Sequence, residues 1–140
     1  AISSAINLYS EEITEILFLN HHHFTDYSSS PQYNIQDETF GVYITRRFQY
    51  PENKIIEKKT MVVQLLIDKE GVIKDVSILK SVDSEIDQQI KKIFESMPNW
   101  VPGKDPNGTR IDTRVKLRMK VSKEGITVKK LTYEEVKIIL

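Results

Sequence analysis

The side chains with the most obvious chemical potential are three consecutive histidines, His21, His22 and His23, with Asp26 as the nearby anionic residue. Adjacent imidazoles do not share one helix face, and no cysteine or close carboxylate pair completes a tetrahedral set. The pattern therefore predicts a solvated helix terminus, where polar and cationic groups are at home, and no metal. Cysteine is absent from the chain, which removes disulfide and thiolate chemistry and leaves the compartment unread. Paired carboxylates occur as Glu11-Glu12 and Glu134-Glu135. Sequence neighbours project in different directions on a helix and make poor acid–base partners. There is no Gly-rich phosphate loop, no G-x-S-x-G and no H-E-x-x-H. Serine, histidine and aspartate all occur, but nothing in the sequence places them together. The expectation is a protein with no catalytic residues and no cofactor.

A second chemical pattern is more informative. Arg114, Lys116, Arg118 and Lys120 alternate with Val115, Leu117, Met119 and Val121. On a strand, period two puts the cations on one face and the apolar residues on the other. The cations either protect an edge strand from aggregation or form a docking face for an acidic peptide or anionic polymer. Nucleic acid is not expected, because no aromatic residues interleave with the cations to stack on bases. Trp100 stands between Pro98 and Pro102. Its ring is expected to pack across the end of the core; surface contact with a ligand is the alternative.

The elements that must position these groups begin with Thr60–Asp68, a strand with Met61, Val63, Leu65 and Ile67 on one face. Asp68-Lys69-Glu70-Gly71 is a hairpin turn in which Gly71 takes positive φ. In the following strand, Ile73 is out of phase with Val76 and Ile78, so an extra residue is expected near Lys74-Asp75. Ile86, Ile90, Ile93, Phe94 and Met97 then trace one face of a helix that ends before Pro98. Upstream, Asp37 reads as the N-cap of a helix carrying Phe40, Tyr43, Ile44 and Phe48, with Arg46 and Arg47 at its C-terminal end. Tyr50-Pro51 stops it. Ile2, Ile6, Tyr9, Ile13 and Ile16 form a helical seam over residues 1–20, either packed on its own domain or dimerising as a short coiled coil. After a turn at Lys123-Glu124-Gly125, Ile126–Leu131 reads as a short strand, and Thr132-x-x-Glu135 as the capping box of a terminal helix.

The chain has 140 residues, 39% of them hydrophobic, enough for one two-layer domain. Its 20 basic and 20 acidic residues balance, so net charge selects no general partner. No run of about 18 apolar residues exists to span a membrane, and no basic-then-apolar leader is present. The expectation is a soluble fragment, or a mature secreted form beginning at Ala1.

The order of these pieces resembles the C-terminal domain of TonB-family proteins. The matching residues are Tyr50-Pro51, Ile67-Asp68-Lys69-Glu70-Gly71-Val72-Ile73 and Asp75-Val76-Ser77-Ile78 with Ser81. Ile86-Asp87, Met97-Pro98-Asn99-Trp100-Val101-Pro102-Gly103, Asn107-Gly108 and the final alternating strand complete the set. Together they cover roughly Thr39 to Val121. The resemblance implies an α+β fold with an antiparallel three- to four-stranded sheet and two helices on one face. To this the sequence adds a further N-terminal amphipathic helix. The implied division is an extension over 1–36, the TonB-like domain over 37–122, and a strand and helix extension over 123–140. The implied function is a periplasmic domain, free or anchored to the inner membrane through an upstream segment, that accepts an extended peptide of an outer-membrane receptor by strand addition. It would thereby couple inner-membrane energy to transport. The strand Arg110–Val121 would lie at the sheet edge, with Arg114, Lys116, Leu117, Arg118, Met119 and Lys120 as partner-binding residues. Tyr50, Pro51, Gly71, Trp100, Pro102 and Gly108 would be structural. The alternatives are a stand-alone periplasmic adaptor that uses the same fold for another partner or for cell-wall glycan, and a homodimerisation module driven by residues 1–20.

Phe94 lies on the inner face of the second helix in this reading. Replacing it by Ala is expected to cost about 3–5 kcal/mol, the usual range for a buried Phe, measured by denaturant unfolding. A loss below about 1 kcal/mol would mean that the helix faces elsewhere.

Overall fold

The computed structural model describes residues 15–23, 30–35, 38–52, 54 and 57–139. Its elements are β1 (Glu15–His23), α1 (Phe40–Arg47), β2 (Lys59–Ile67), β3 (Ile73–Lys80), α2 (Ser84–Glu95), β4 (Gly103–Lys104), β5 (Arg110–Ser122) and β6 (Gly125–Ile139). The long strands form one sheet in the order β1-β6-β5-β2-β3, and the short β4 pairs with the start of β5. Every pairing is antiparallel. The fold is α+β, with both helices on one face of the sheet. Met61, Val63, Leu65 and Ile67 of β2 and Val115, Leu117, Met119 and Val121 of β5 meet Tyr43 and Ile44 of α1 there. Ile86, Ile90, Ile93 and Phe94 of α2 join the same buried cluster. No helix among the described residues is long and apolar enough to cross a membrane.

Local chemistry fixes where the helices start. The Thr39 side chain accepts a hydrogen bond from the Val42 N–H at 3.3 Å and caps α1; Asp37, the expected cap, lies outside the described residues. Asp83 caps α2 by accepting from the N–H groups of Glu85 and Ile86, and it also pairs with the Lys54 ammonium at 3.0 Å. The Lys54 contact and the two backbone donors hold the Asp83 carboxyl below the usual carboxylate range. At the other end of α1, the Arg47 guanidinium lies 3.6 Å from the centre of the Tyr43 ring, a cation–π contact that tethers the last turn.

The β2–β3 hairpin contains the expected extra residue. Leu66 faces Asp75 and Ile67 faces Ile73, so Lys74 is left over and Ile73 returns to the helix face. A second irregularity, not expected, falls at Leu79, between the Val62–Lys80 and Val63–Ile78 pairs. Asp68 organises the turn, its Oδ1 accepting from the N–H groups of Glu70 and Val72. Gly71 sits at φ 84°, and its carbonyl accepts the Trp100 N–H at 2.7 Å. A Cβ added to Gly71 would lie 1.8 Å from the Trp100 carbonyl oxygen. The hairpin and the Trp loop therefore touch backbone to backbone. Trp100 is buried as expected and packs edge-on to Tyr33 and Phe40, with ring centres 6.3 and 5.8 Å away. The preceding segment is strapped across by the bridge between Gln32 and Val101. The Trp100 indole N–H and the Tyr33 hydroxyl are buried with no hydrogen-bond partner among the described residues. Burial, with the nearby Glu38 adding to it, pushes the Tyr33 phenol above its ordinary pKa.

Two expectations about the ends of the chain are corrected. Residues 15–20 belong to a strand and not to the helix expected over 1–20; residues 1–14 lie outside the described residues. His21, His22 and His23 close that strand and do not stand at a helix end. Residues 132–139 form no terminal helix but continue β6 from Gly125 to Ile139. An isolated helix of that length is marginal, whereas β5 offers a ready ladder: Val115 faces Tyr133, Arg114 faces Glu134 and Asp112 faces Val136. Beyond Val136 the ladder is supplied by β1, with Lys137, Ile138 and Ile139 facing Leu17, Ile16 and Glu15. The sheet consequently has more strands than expected.

Gly71 and Gly108 both have positive φ, 84° and 82°, but a Cβ on Gly108 meets nothing within 4 Å. Gly108→Ala is expected to cost about 1 kcal/mol, the left-handed backbone penalty alone. Gly71→Ala adds overpacking against the Trp100 backbone, for a total of about 2–4 kcal/mol. Equal losses in denaturant unfolding would contradict the close approach.

Candidate functional site

The face of the sheet opposite the helices is divided. At the end near the β2–β3 turn, Gln64, Leu66, Asp75, Ser77, Asp112 and Val136 are buried. The polar atoms of Asp75, Ser77 and Asp112 are used internally. Asp112 accepts the Lys69 N–H at 3.0 Å and the Ile138 N–H at 2.8 Å, so one carboxylate holds the hairpin turn and the part of β6 that outruns β5. The Ser77 hydroxyl donates to Asp75 at 2.8 Å, and Arg114 pairs with Glu134 across β5 and β6.

The other end of the same face is cationic and exposed. Cross-strand register sets Lys80, Val62, Arg118 and Lys130 in one row over β3, β2, β5 and β6. Lys116 and Thr132 form the next pair along β5 and β6. Val62, Lys116, Arg118, Lys130 and Thr132 line a shallow recess of about 130 Å³. Among the described residues none of Lys80, Lys116, Arg118 and Lys130 has a carboxylate partner, whereas Arg46, Arg47, Lys54, Lys74, Arg110 and Arg114 each have one. A larger recess of about 280 Å³ lies at the β5–β6 hairpin, but Glu124 stands among its lysines.

The expected site residues separate into three groups. Lys116 and Arg118 belong to the exposed row. Arg114 is engaged by Glu134, and Lys120 donates to the Thr60 hydroxyl at 2.7 Å. Leu117 and Met119 are fully buried beneath the helices and present nothing to a partner. The expectation that β5 lies at a sheet edge is corrected: β2 and β6 flank it on both sides. Ile126–Leu131, expected as a short strand, folds back along β5; the pairing continues to Val136 and the strand itself to Ile139. Among the structural residues, Pro51 is buried just before β2, Tyr50 and Pro102 are half-buried, and Gly108 sits in the turn closed by Asp105 and Thr109.

Lys80, Val62 and Lys130 are the members of the row that sequence reasoning missed. From Ile126, strict alternation assigns Lys130 to the helix face with Val128. The register shift beside Lys129 reverses this, placing Lys130 opposite Arg118 and Leu131 opposite Leu117. A bulge of this kind leaves its mark only in the phase of Val128 and Leu131. No group of three or more His, Asp or Glu residues among the described residues is placed to hold a metal ion. No protein-family model, curated protein or solved structure matches this chain.

Because β6 covers β5 along its length and supplies Val136 to the buried set, a chain ending at Ser122 is expected to lose its cooperative unfolding transition. Thermal unfolding followed by circular dichroism checks this. A sharp transition in the shortened chain would mean that β6 is dispensable.

Proposed function

We propose that this domain is a non-enzymatic binding module that takes an extended peptide as an added strand, and that the receiving edge is β3. The observation that carries this reading is the position of β3. Its one side is paired with β2, and no described strand pairs with the other. An edge strand offers a row of backbone donors and acceptors that an extended segment can satisfy. Between the irregularities at Lys74 and Leu79, Asp75–Ile78 run in unbroken register with β2. Asp75, Val76 and Ser77 of that stretch are buried and bulges blunt an edge, so the added strand is short and takes the end of β3 at Ile78–Leu79. Leu79, half exposed, supplies an apolar contact at its end.

The TonB-like order of motifs supplies the setting. On that resemblance the partner is a segment of an outer-membrane receptor, the location is the periplasm, and the binding serves energy coupling. A peptide docking at β5 would have to displace β6, which favours β3 as the receiving edge.

The test is a titration of the ¹⁵N-labelled protein with a neutral, Val- and Thr-rich octapeptide, followed by amide chemical shifts. Shifts concentrated on Ile78 and Leu79 are expected. Shifts at Glu15–His23 would assign the receiving edge to β1 and overturn the proposal, as would no shift at millimolar peptide.

A further inference from the structure

We propose that the row Lys80, Arg118 and Lys130, with Lys116 beside it, is a second docking site, and that its ligand is an acidic, extended segment of a protein. The inference rests on the preceding reading in taking a protein segment as the ligand; it needs no strand addition at β3. The first argument is electrostatic. Arg118 and Lys130 stand directly opposite each other on β5 and β6, and like charges in that position destabilise a sheet. Elsewhere on the same strands the sequence solves this problem, setting Glu134 against Arg114. At the Arg118 row it does not, and all of its cations are exposed. The charges of the chain sum to zero, so the concentration is local. An incoming anion removes the repulsion and gains attraction from several cations at once.

The second argument is spacing. Lys116 and Arg118 are two residues apart on one strand, about 6.8 Å along its axis. An extended peptide with a carboxylate at every second residue repeats at the same distance. Neighbouring strands are about 4.8 Å apart, so the row from Lys80 to Lys130 spans about 14 Å, the length of a few extended residues. The floor between the cations is Val62 and Thr132, which gives the peptide backbone an uncharged surface to lie on. No aromatic residue lines the recess, so the stacking that single-stranded nucleic acid uses is missing. Among the described residues, the carboxylates on the strands of this face, Asp75, Asp112 and Glu134, all lie on the hairpin-turn side of the Lys116–Thr132 pair and are engaged there.

The test uses the whole chain and a fluorescein-labelled decapeptide of alternating Glu and Ser, read by anisotropy, with its Gln–Ser counterpart and inorganic polyphosphate in parallel. The Glu–Ser peptide is expected to bind, with affinity falling as salt rises. R118Q/K130Q is expected to weaken binding about tenfold, through loss of paired charges. The control K58Q/K123Q, with the same change in net charge, is expected to weaken it less than about twofold, because those exposed lysines lie outside the row. R118Q/K130Q also removes the like-charge pair, so its melting temperature should be unchanged or higher, which separates lost binding from lost folding. Equal weakening by the two variants would overturn the proposal. So would equal affinity for the Gln–Ser peptide, or binding of polyphosphate without binding of the Glu–Ser peptide. Shifts of Ile78 and Leu79 with the neutral octapeptide report on β3 independently, so either site can fail without the other.

Discussion

The constraint on which the rest depends is that β5 must satisfy its backbone on both sides. A central strand has no solvent to fall back on: each N–H and C=O needs a ladder partner or loses about the full desolvation cost of a buried polar group. β2 supplies one side from Thr113 to Val121, and β6 supplies the other from Asp112 to Ser122. Once both are in place, strict alternation along β5 decides which side chains meet the helices and which face outward. The buried Val115, Leu117 and Met119 and the exposed Lys116 and Arg118 follow from the same ladder. Core and candidate site are two faces of one pairing.

Much of this was legible in the sequence, because the decisive signals were local. The phase conflict between Ile73 and Val76 located the extra residue at Lys74, and the spacing of Ile86, Ile90, Ile93 and Phe94 gave the buried face of α2. The trouble came where tertiary pairing overrode local preference. Thr132-x-x-Glu135 is a sound capping box on its own, yet the β5 ladder turned the same residues into strand, with Glu134 opposite Arg114. The short apolar run at Ile16–Leu19 fits helix and strand equally, and only β6 decides between them. The cationic row was half visible. Lys116 and Arg118 announced themselves by alternation, while Lys80 and Lys130 sit beside bulges that break the phase.

The outward face also shows how one sheet can do unlike work along its length. Near the hairpin turn, Asp112 stitches β6 to the β2–β3 loop and Ser77 donates to Asp75. Those contacts tie strand to strand and to the turn, and make that end structural. Beyond Gln64, among the described residues, Lys80, Lys116, Arg118 and Lys130 have no carboxylate partner and are left to solvent. The boundary falls between the Arg114–Glu134 pair and the Lys116–Thr132 pair, a step of two residues.

The zipper formed by β1 and the last residues of β6 has a mechanical consequence. Glu15 lies opposite Ile139, and from there the pairing runs inward toward Phe18 and Val136. Tension applied through residues 15 and 139 therefore acts on one pair at a time and peels the strands apart from the end. The β5–β6 ladder is longer and closed by its hairpin, and the bond from the Ile138 N–H to Asp112 ties the loaded end of β6 to it. Under traction the protein yields first at this outer pair, while the helices, β2 and β3 keep their arrangement.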